Sequence, residues 1–319
     1  MEPEEMTPTS EISLVAPILY LTEGFFIIAF NSLLLCYLFL SARTRFQLHY
    51  QVLAGCIAFD VIFGAAYFST GVYRMQLKFT QKYIPSTSYL YCLNTLHNWL
   101  ILFITPEAGI LSLFVALDRA ISVFYPMKYI KLPRYYPLIL YTTSFLLVIP
   151  AYIVSYIGVY PSRDLLQVTA KCELRQAIPE EVYQALRWVR ISTTMIAVTL
   201  YLPIGYRITK LIKNAYKCTQ RNEEAEKIRQ MTLTIGLITL NQLVFFAIPD
   251  LYLVFVASNT TSFLYILNMN KGVINVIVLV VTQKDLRHYI SESMGVKKPT
   301  IVRTMPQHST RVAQKETQF

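Results

Sequence analysis

Four ionisable side chains, Asp60, Glu107, Asp250 and Lys271, stand inside long apolar stretches of this sequence. A charge held in hydrocarbon costs about 2.5–3.5 kcal/mol on insertion scales, so each of the four must face a polar interior and find a partner there. Lys271 is the one cation of the set. It predicts a pairing with Asp60 or with Glu107, in a buried cluster filling the place a cation could otherwise take. Asn31 reaches the same level, and Asn268, Asn270 and Asn275 accompany Lys271 on its helix. Such a pair either fastens helices together or switches between two arrangements, and losing one member is costly in both readings. Hydrolytic or metal chemistry finds no comparable support. Four histidines and five cysteines show no paired spacing for zinc, and His97, the only histidine in an apolar stretch, has no catalytic companion beside it.

The elements that must position these groups are the apolar stretches themselves. The 319 residues are 54% hydrophobic and 15% charged, far below the roughly 25% charge of soluble domains. The charges fall in short blocks between seven apolar runs: Ile12 to Leu40, Tyr50 to Phe68, Tyr91 to Ala116, Tyr135 to Tyr160, Trp188 to Ile212, Met231 to Val256 and Phe263 to Thr282. Each approaches the ~20 residues a helix needs to cross a bilayer, and only a helix satisfies its own backbone hydrogen bonds there. The sequence therefore predicts an all-α membrane protein, a seven-transmembrane helix bundle over residues 12–282. A short acidic segment over 1–11 precedes it, an amphipathic helix over 283–295 follows, and a polar, disordered tail occupies 296–319.

Lysine and arginine set the orientation. Nineteen flank one side of the runs and eight the other, and cytoplasmic loops carry the excess. The N-terminus is expected outside, the first run acting as an uncleaved anchor in a multi-pass plasma-membrane protein. The net charge of +10 does not point to nucleic acid, because the basic residues flank spans and form no stripe with aromatics between. They suit an acidic partner or anionic lipid. Sorted by side, only Cys92 and Cys172 face an oxidising exterior, and a disulfide between them is expected, against the alternative of two free thiols. Asn259-Thr260-Thr261 forms a glycosylation sequon in the last outer loop. Prolines 17, 106, 150, 203 and 249 fall within spans, where each removes a hydrogen bond and bends the helix.

In this order the pattern resembles the rhodopsin-like seven-helix receptors that activate heterotrimeric G proteins. Asn31, Asp60, the Asp118-Arg119-Ala120 triplet at the end of the third span, Pro126, Pro203, Pro249 and Asn275-Val276-Ile277-Val278-Leu279 carry the likeness. Ala120 stands where the family has Tyr, Val276 and Leu279 replace the Pro and Tyr of the seventh span, and Phe246-Ala247-Ile248-Pro249 lacks the family's aromatic toggle. With LDRAISVFYPMKY after the third span, the chain is similar to nematode serpentine chemoreceptors of the V, G or U classes. The resemblance implies a receptor without catalysis or cofactor, with an extracellular small-molecule ligand and a cytoplasmic G protein. It implies switch roles for Asp60, Asp118, Arg119, Pro249 and Asn275, to which the buried-charge reading adds Glu107 and Lys271 as switch candidates. Arg119 would pair with Asp118 or with an acid such as Glu226, and opening that contact would expose a basic cleft.

Ligand-contacting groups are expected in the outer halves of the helices: Asn98, Ile101, Leu102, Thr105, Ser192, Phe246, Asp250, Tyr265 and Asn268, an apolar and aromatic cavity with a few hydrogen-bonding groups. No carboxylate stands near Ile101, which in this family argues against biogenic amines. The eighth helix is expected from Leu286, Tyr289, Ile290 and Met294 on one face, with Lys284, Arg287 and His288 opposite. A transporter or channel is the competing class, with Asp60, Glu107 and Lys271 as a proton or ion path, but no internal repeat supports it.

Overall fold

Fourteen residues into the chain a helix begins that runs almost without polar interruption, and its length follows from its composition. The computed structural model describes residues 14–40, 47–80, 85–163, 165–215, 222–255 and 261–282, together with Arg287. The N-terminal segment 1–11, Asn259 and Thr260 of the sequon, the expected eighth helix apart from Arg287, and the tail lie outside them. The first helix, α1, spans Val15–Leu40, and α2 spans Leu48–Thr80. A short β1 (Ser86–Ser88) and α3 (Tyr89–Leu93) lead into α4, Leu96–Phe124. Then follow α5 (Pro126–Ile130), α6 (Tyr136–Val159), β2 (Leu166–Thr169) and α7 (Leu174–Ala177). The long α8 covers Glu180–Ala215 and α9 Asn222–Gln242. A π-helical turn at Leu243–Ala247 joins α9 to α10 (Ile248–Phe255), and α11 covers Thr261–Thr282.

Six of these helices are long and apolar enough to cross a membrane: Val15–Leu40, Leu48–Thr80, Leu96–Phe124, Tyr136–Ser162, Glu180–Lys210 and Thr232–Tyr252. Phe25, Phe26, Phe30 and Leu33 on α1, and Leu138, Phe145 and Leu146 on α6, are at least half exposed. Contiguous apolar surface of this kind requires a nonpolar solvent, and the chain is a multi-pass helical membrane protein.

The helix α4 is the axis of the bundle, touching α2, α6, α8 and α9. Its closest approach is to α8. A Cβ on Gly109 would lie 2.2 Å from Thr193 Oγ1 and 2.6 Å from the Arg190 carbonyl oxygen, so only glycine lets the two backbones meet there. Gly24 does the same between α1 and α2, where a Cβ would fall 2.8 Å from the Phe68 amide nitrogen.

Three expectations are corrected. The third run does not cross as one helix from Tyr91: the Ser88 hydroxyl caps the Tyr91 N–H at 3.2 Å and Thr95 bonds back to the Cys92 carbonyl at 2.7 Å, which ends α3 before α4 begins. Asp118-Arg119 does not end that span, because α4 continues to Phe124. Pro17 lies in the first turn of α1, where no intrahelical N–H is needed, and interrupts nothing. The all-α class holds, with one small addition: β1 and β2 pair antiparallel with Ser86 opposite Thr169 and Thr87 opposite Val168. That two-stranded ribbon and the disulfide cap one end of the bundle.

Candidate functional site

Polar groups inside the bundle are gathered at four levels, each assembled from different helices. At the capped end Cys92 and Cys172 form a disulfide. Cys172 has a left-handed backbone (φ 46°), a conformation that costs a side-chain-bearing residue roughly 1 kcal/mol or more. Its carbonyl is held by two donors from α4: Asn98 Nδ2 at 3.0 Å and the His97 ring nitrogen Nε2 at 3.2 Å. Asn98 Nδ2 also bonds the Cys92 carbonyl at 2.8 Å, and the Tyr73 hydroxyl donates to the Ala170 carbonyl at 2.9 Å. Asn98, expected to meet a ligand, is thus engaged in fixing the loop.

One turn deeper lies a cluster of two arginines and one aspartate. Arg190 Nε donates to Asp250 Oδ2 at 2.7 Å, and its Nη2 meets the same oxygen. Arg187 approaches Oδ1 less closely, with Nε at 3.6 Å, and gives its Nη2 proton to the Asp250 backbone carbonyl at 2.8 Å. Spaced three residues apart, the arginines share one face of α8. Both are buried, so they do not belong to the outer loop charges where the sequence count placed them. Asp250 is paired rather than presented to a cavity.

The middle level is built around Lys271. Its Nζ stands 3.3 Å from Asp60 Oδ1, while Asn275 Nδ2 donates to Oδ2 at 2.9 Å. Asn241 from α9 bonds both the Lys271 carbonyl (3.0 Å) and Asn275 Oδ1 (2.8 Å). Phe59, Phe63 and Phe246 surround the ammonium, with ring centroids 5.2, 5.5 and 5.2 Å away. Of the two partners the sequence left open, Lys271 takes Asp60. Glu107 faces α6 instead, where Ser144 Oγ donates to it at 2.7 Å. Asn31 is buried but bonds its own helix at the Ile27 carbonyl, 2.9 Å away, and does not join Asp60.

Phe246 links the second and third groups. Its ring receives Lys271 on one side and, at 5.0 Å, the Arg190 guanidinium. The π turn explains how it reaches that place. Pro249 offers no N–H to the Phe245 carbonyl, and the ladder widens, with the Ile248 N–H bonding the Leu243 carbonyl five residues back. The extra residue rotates the helix below the turn relative to the helix above, and the Phe246 ring, expected among the ligand-contacting groups, stands buried between the two cationic groups.

At the opposite end Arg119 is wholly enclosed, with no exposed surface. Its Nε donates to Asp118 Oδ2 at 2.9 Å, its Nη2 donates to the same oxygen and, at 3.0 Å, to the Tyr129 hydroxyl. A guanidinium has only donors, so the His49 Nδ1 at 3.3 Å accepts from Nη1. His49 and Tyr129 stack at 5.3 Å. Burial pushes the Tyr129 phenol above its ordinary value, keeping it protonated. The Glu226 side chain lies outside the described part of the structure, and Arg119 has its acid in Asp118.

The expected ligand residues do not assemble into one cavity. Ser192 is exposed and bonds the Trp188 carbonyl of its own helix at 2.8 Å. Leu102 is sealed among Leu93, Leu174 and Leu186. Thr105 is buried and returns its hydroxyl to the Ile101 carbonyl at 2.6 Å, while Ile101 packs partly buried against the core. The side chains of Tyr265 and Asn268 lie outside the described part. Four polar residues of the interior went unread in the sequence: Arg187 and Arg190, Asn241, and Gln242, whose Oε1 accepts from Ser112 Oγ at 2.7 Å. Arg190 carried a signal, because it falls inside the fifth apolar run.

No protein-family model matches the chain, and no curated protein matches it.

Proposed function

We propose that the chain is a seven-helix receptor of the plasma membrane, its N-terminus outside, that binds a small molecule at the disulfide-capped end and activates a heterotrimeric G protein at the Arg119 end. In this reading α11 is the seventh span. The observation that carries it is the enclosure of Arg119, a guanidinium held near the end of the central helix by Asp118, Tyr129 and His49 from α2, α4 and α5. A buried latch whose partners come from several helices is broken by relative helix movement, and breaking it turns a strongly basic group toward the solvent. The disulfide supports the orientation, since such bonds persist on the oxidising side of a membrane. The inward position of Arg187 and Arg190 lowers the basic count of that side further.

The competing transport reading requires Asp60, Glu107 and Lys271 in one file. Lys271 and Asp60 neutralise each other while Glu107 turns to Ser144 on α6, which favours the receptor. The test is expression with promiscuous G proteins and a calcium readout against small volatile and water-soluble compounds. Arg119→Gln is expected to abolish the response while ligand binding persists. A compound-driven ion current in liposomes containing the purified chain alone, without any G-protein response in cells, overturns the proposal.

A further inference from the structure

Among the described residues four buried cations face four buried acids, balanced in number but not in place, because Glu107 takes Ser144 and no cation. Asp118 answers Arg119 and Asp60 answers Lys271. Asp250 alone must answer both Arg187 and Arg190. The side chains of Arg187 and Asp250 keep only 4% and 3% of their surface. A cation so enclosed with only half a carboxylate to itself is costly, and among the described residues the local excess is one unit of charge.

The excess resides on Arg187. Arg190 directs both Nε and Nη2 at the Asp250 carboxylate, whereas Arg187 spends a charged donor on a neutral backbone carbonyl and its Nε, fully buried, makes no hydrogen bond. No acidic residue occurs between Asp250 and Asp285, so the last loop and the facing half of α11 offer no second carboxylate. Around the cluster stand Tyr183, whose ring lies 5.6 Å from Arg187, and Tyr67 and Phe246 on the Arg190 side. The surroundings are aromatic.

We propose that Arg187 is the binding group for an organic anion: a small monocarboxylic acid with an apolar or aromatic body, entering from the disulfide-capped side. Two features select a carboxylate. A single negative charge closes the local imbalance, which a phosphate dianion overshoots. The planar fork of a guanidinium matches two carboxylate oxygens, and Nε, which stands 3.6 Å from Asp250 Oδ1 without a hydrogen bond, is one prong of it. Arg190 is the positioning residue, drawing the Asp250 carboxylate into hydrogen bonds with itself and leaving Arg187 the longer, weaker contact. The inference rests on the receptor reading for the side from which the ligand arrives, but binding itself requires no coupling.

The experiment uses the full-length chain purified in detergent and read by thermal unfolding and by calorimetry, with benzoate and hexanoate as probes against benzamide and hexanamide. The carboxylates are expected to raise Tm and the amides to leave it unchanged. Arg187→Gln is expected to weaken carboxylate binding roughly 10- to 100-fold, with Arg187→Lys recovering part of it. Asp250→Asn, which leaves two guanidinium groups without their carboxylate, is expected to bind the same probes more tightly. Should Arg187→Gln fail to fold, the carboxylate-against-amide comparison on the wild type and the sign of the Asp250→Asn effect still decide.

Equal effects of acid and amide, or tighter binding of amides by the wild type, overturn the proposal. So does a carboxylate effect that appears only after residues 1–11 are removed, since the acidic Glu2, Glu4, Glu5 and Glu11 would then be the native occupant. Carboxylate binding without any G-protein response would leave this site standing and overturn the receptor reading. A G-protein response to neutral compounds that survives Arg187→Gln would do the reverse.

Discussion

Lys271 reaches across the bundle to Asp60, Nζ to Oδ1 at 3.3 Å, and the ion pair is enclosed by three phenyl rings instead of water. The pair is sealed, with 3% and 6% of the two side chains exposed. Removing one charge therefore leaves the other stranded. Lys271→Met is expected to cost about 3–5 kcal/mol, and adding Asp60→Asn to recover most of the loss, because a neutral pair carries no desolvation debt. Thermal unfolding in detergent of the two single variants and the double variant measures this coupling. Strictly additive losses would show that the two groups act separately.

The Arg119 latch predicts a gain of activity. Asp118→Asn removes the charge that holds the guanidinium and is expected to raise ligand-free signalling about tenfold, the equivalent of a charge-assisted hydrogen bond. Tyr129→Phe removes one neutral acceptor and should raise it by a smaller factor. Basal calcium or cyclic-nucleotide output at matched surface expression checks both, and silence in Asp118→Asn with normal expression contradicts the latch.

Asn98 is predicted to be structural. Asn98→Ala leaves the carbonyls of Cys92 and Cys172 short of a donor, a loss of about 1–3 kcal/mol, and Asn98→Asp, the same shape without donors, should lose at least as much. A lower Tm with an unaltered rank order of ligands is the expected result. A changed ligand preference at unaltered Tm would return Asn98 to the pocket.

Two glycines of α4 and α8 should respond oppositely. Gly109→Ala drives a methyl into the backbone of α8 at Arg190 and is expected to cost about 1–3 kcal/mol. Gly205, with nothing within 4 Å of a Cβ, should gain up to about 1 kcal/mol as Ala through helix propensity. Parallel thermal unfolding of the two variants decides it.

The helices were legible because a bilayer sets their minimum length and bars charge, and the disulfide because only Cys92 and Cys172 fell on one side. Which carboxylate Lys271 would choose was not legible. Asp60 and Glu107 were equivalent by depth, and only the rotation of α2 and α4 about their axes separates them. The same phase defeated the ligand residues. Ser192 and Arg190 are two positions apart, so they leave α8 in nearly opposite directions, one to the apolar surroundings and one to Asp250. The π turn has no composition of its own. Its trace in the sequence is Pro249, which announces a disturbance without saying that the Phe246 ring will stand between Lys271 and Arg190.

The contact at Gly109 makes α4 a lever. Ten residues separate it from Arg119, about 15 Å along the helix axis. With the Gly109 backbone against the Arg190 backbone and the short Thr193 side chain, little at that point can give way, so a tilt imposed on α8 near Arg187 and Arg190 is transmitted there as a pivot. Five degrees about it carries the guanidinium end by about 1.3 Å, nearly half the length of the hydrogen bonds that restrain it.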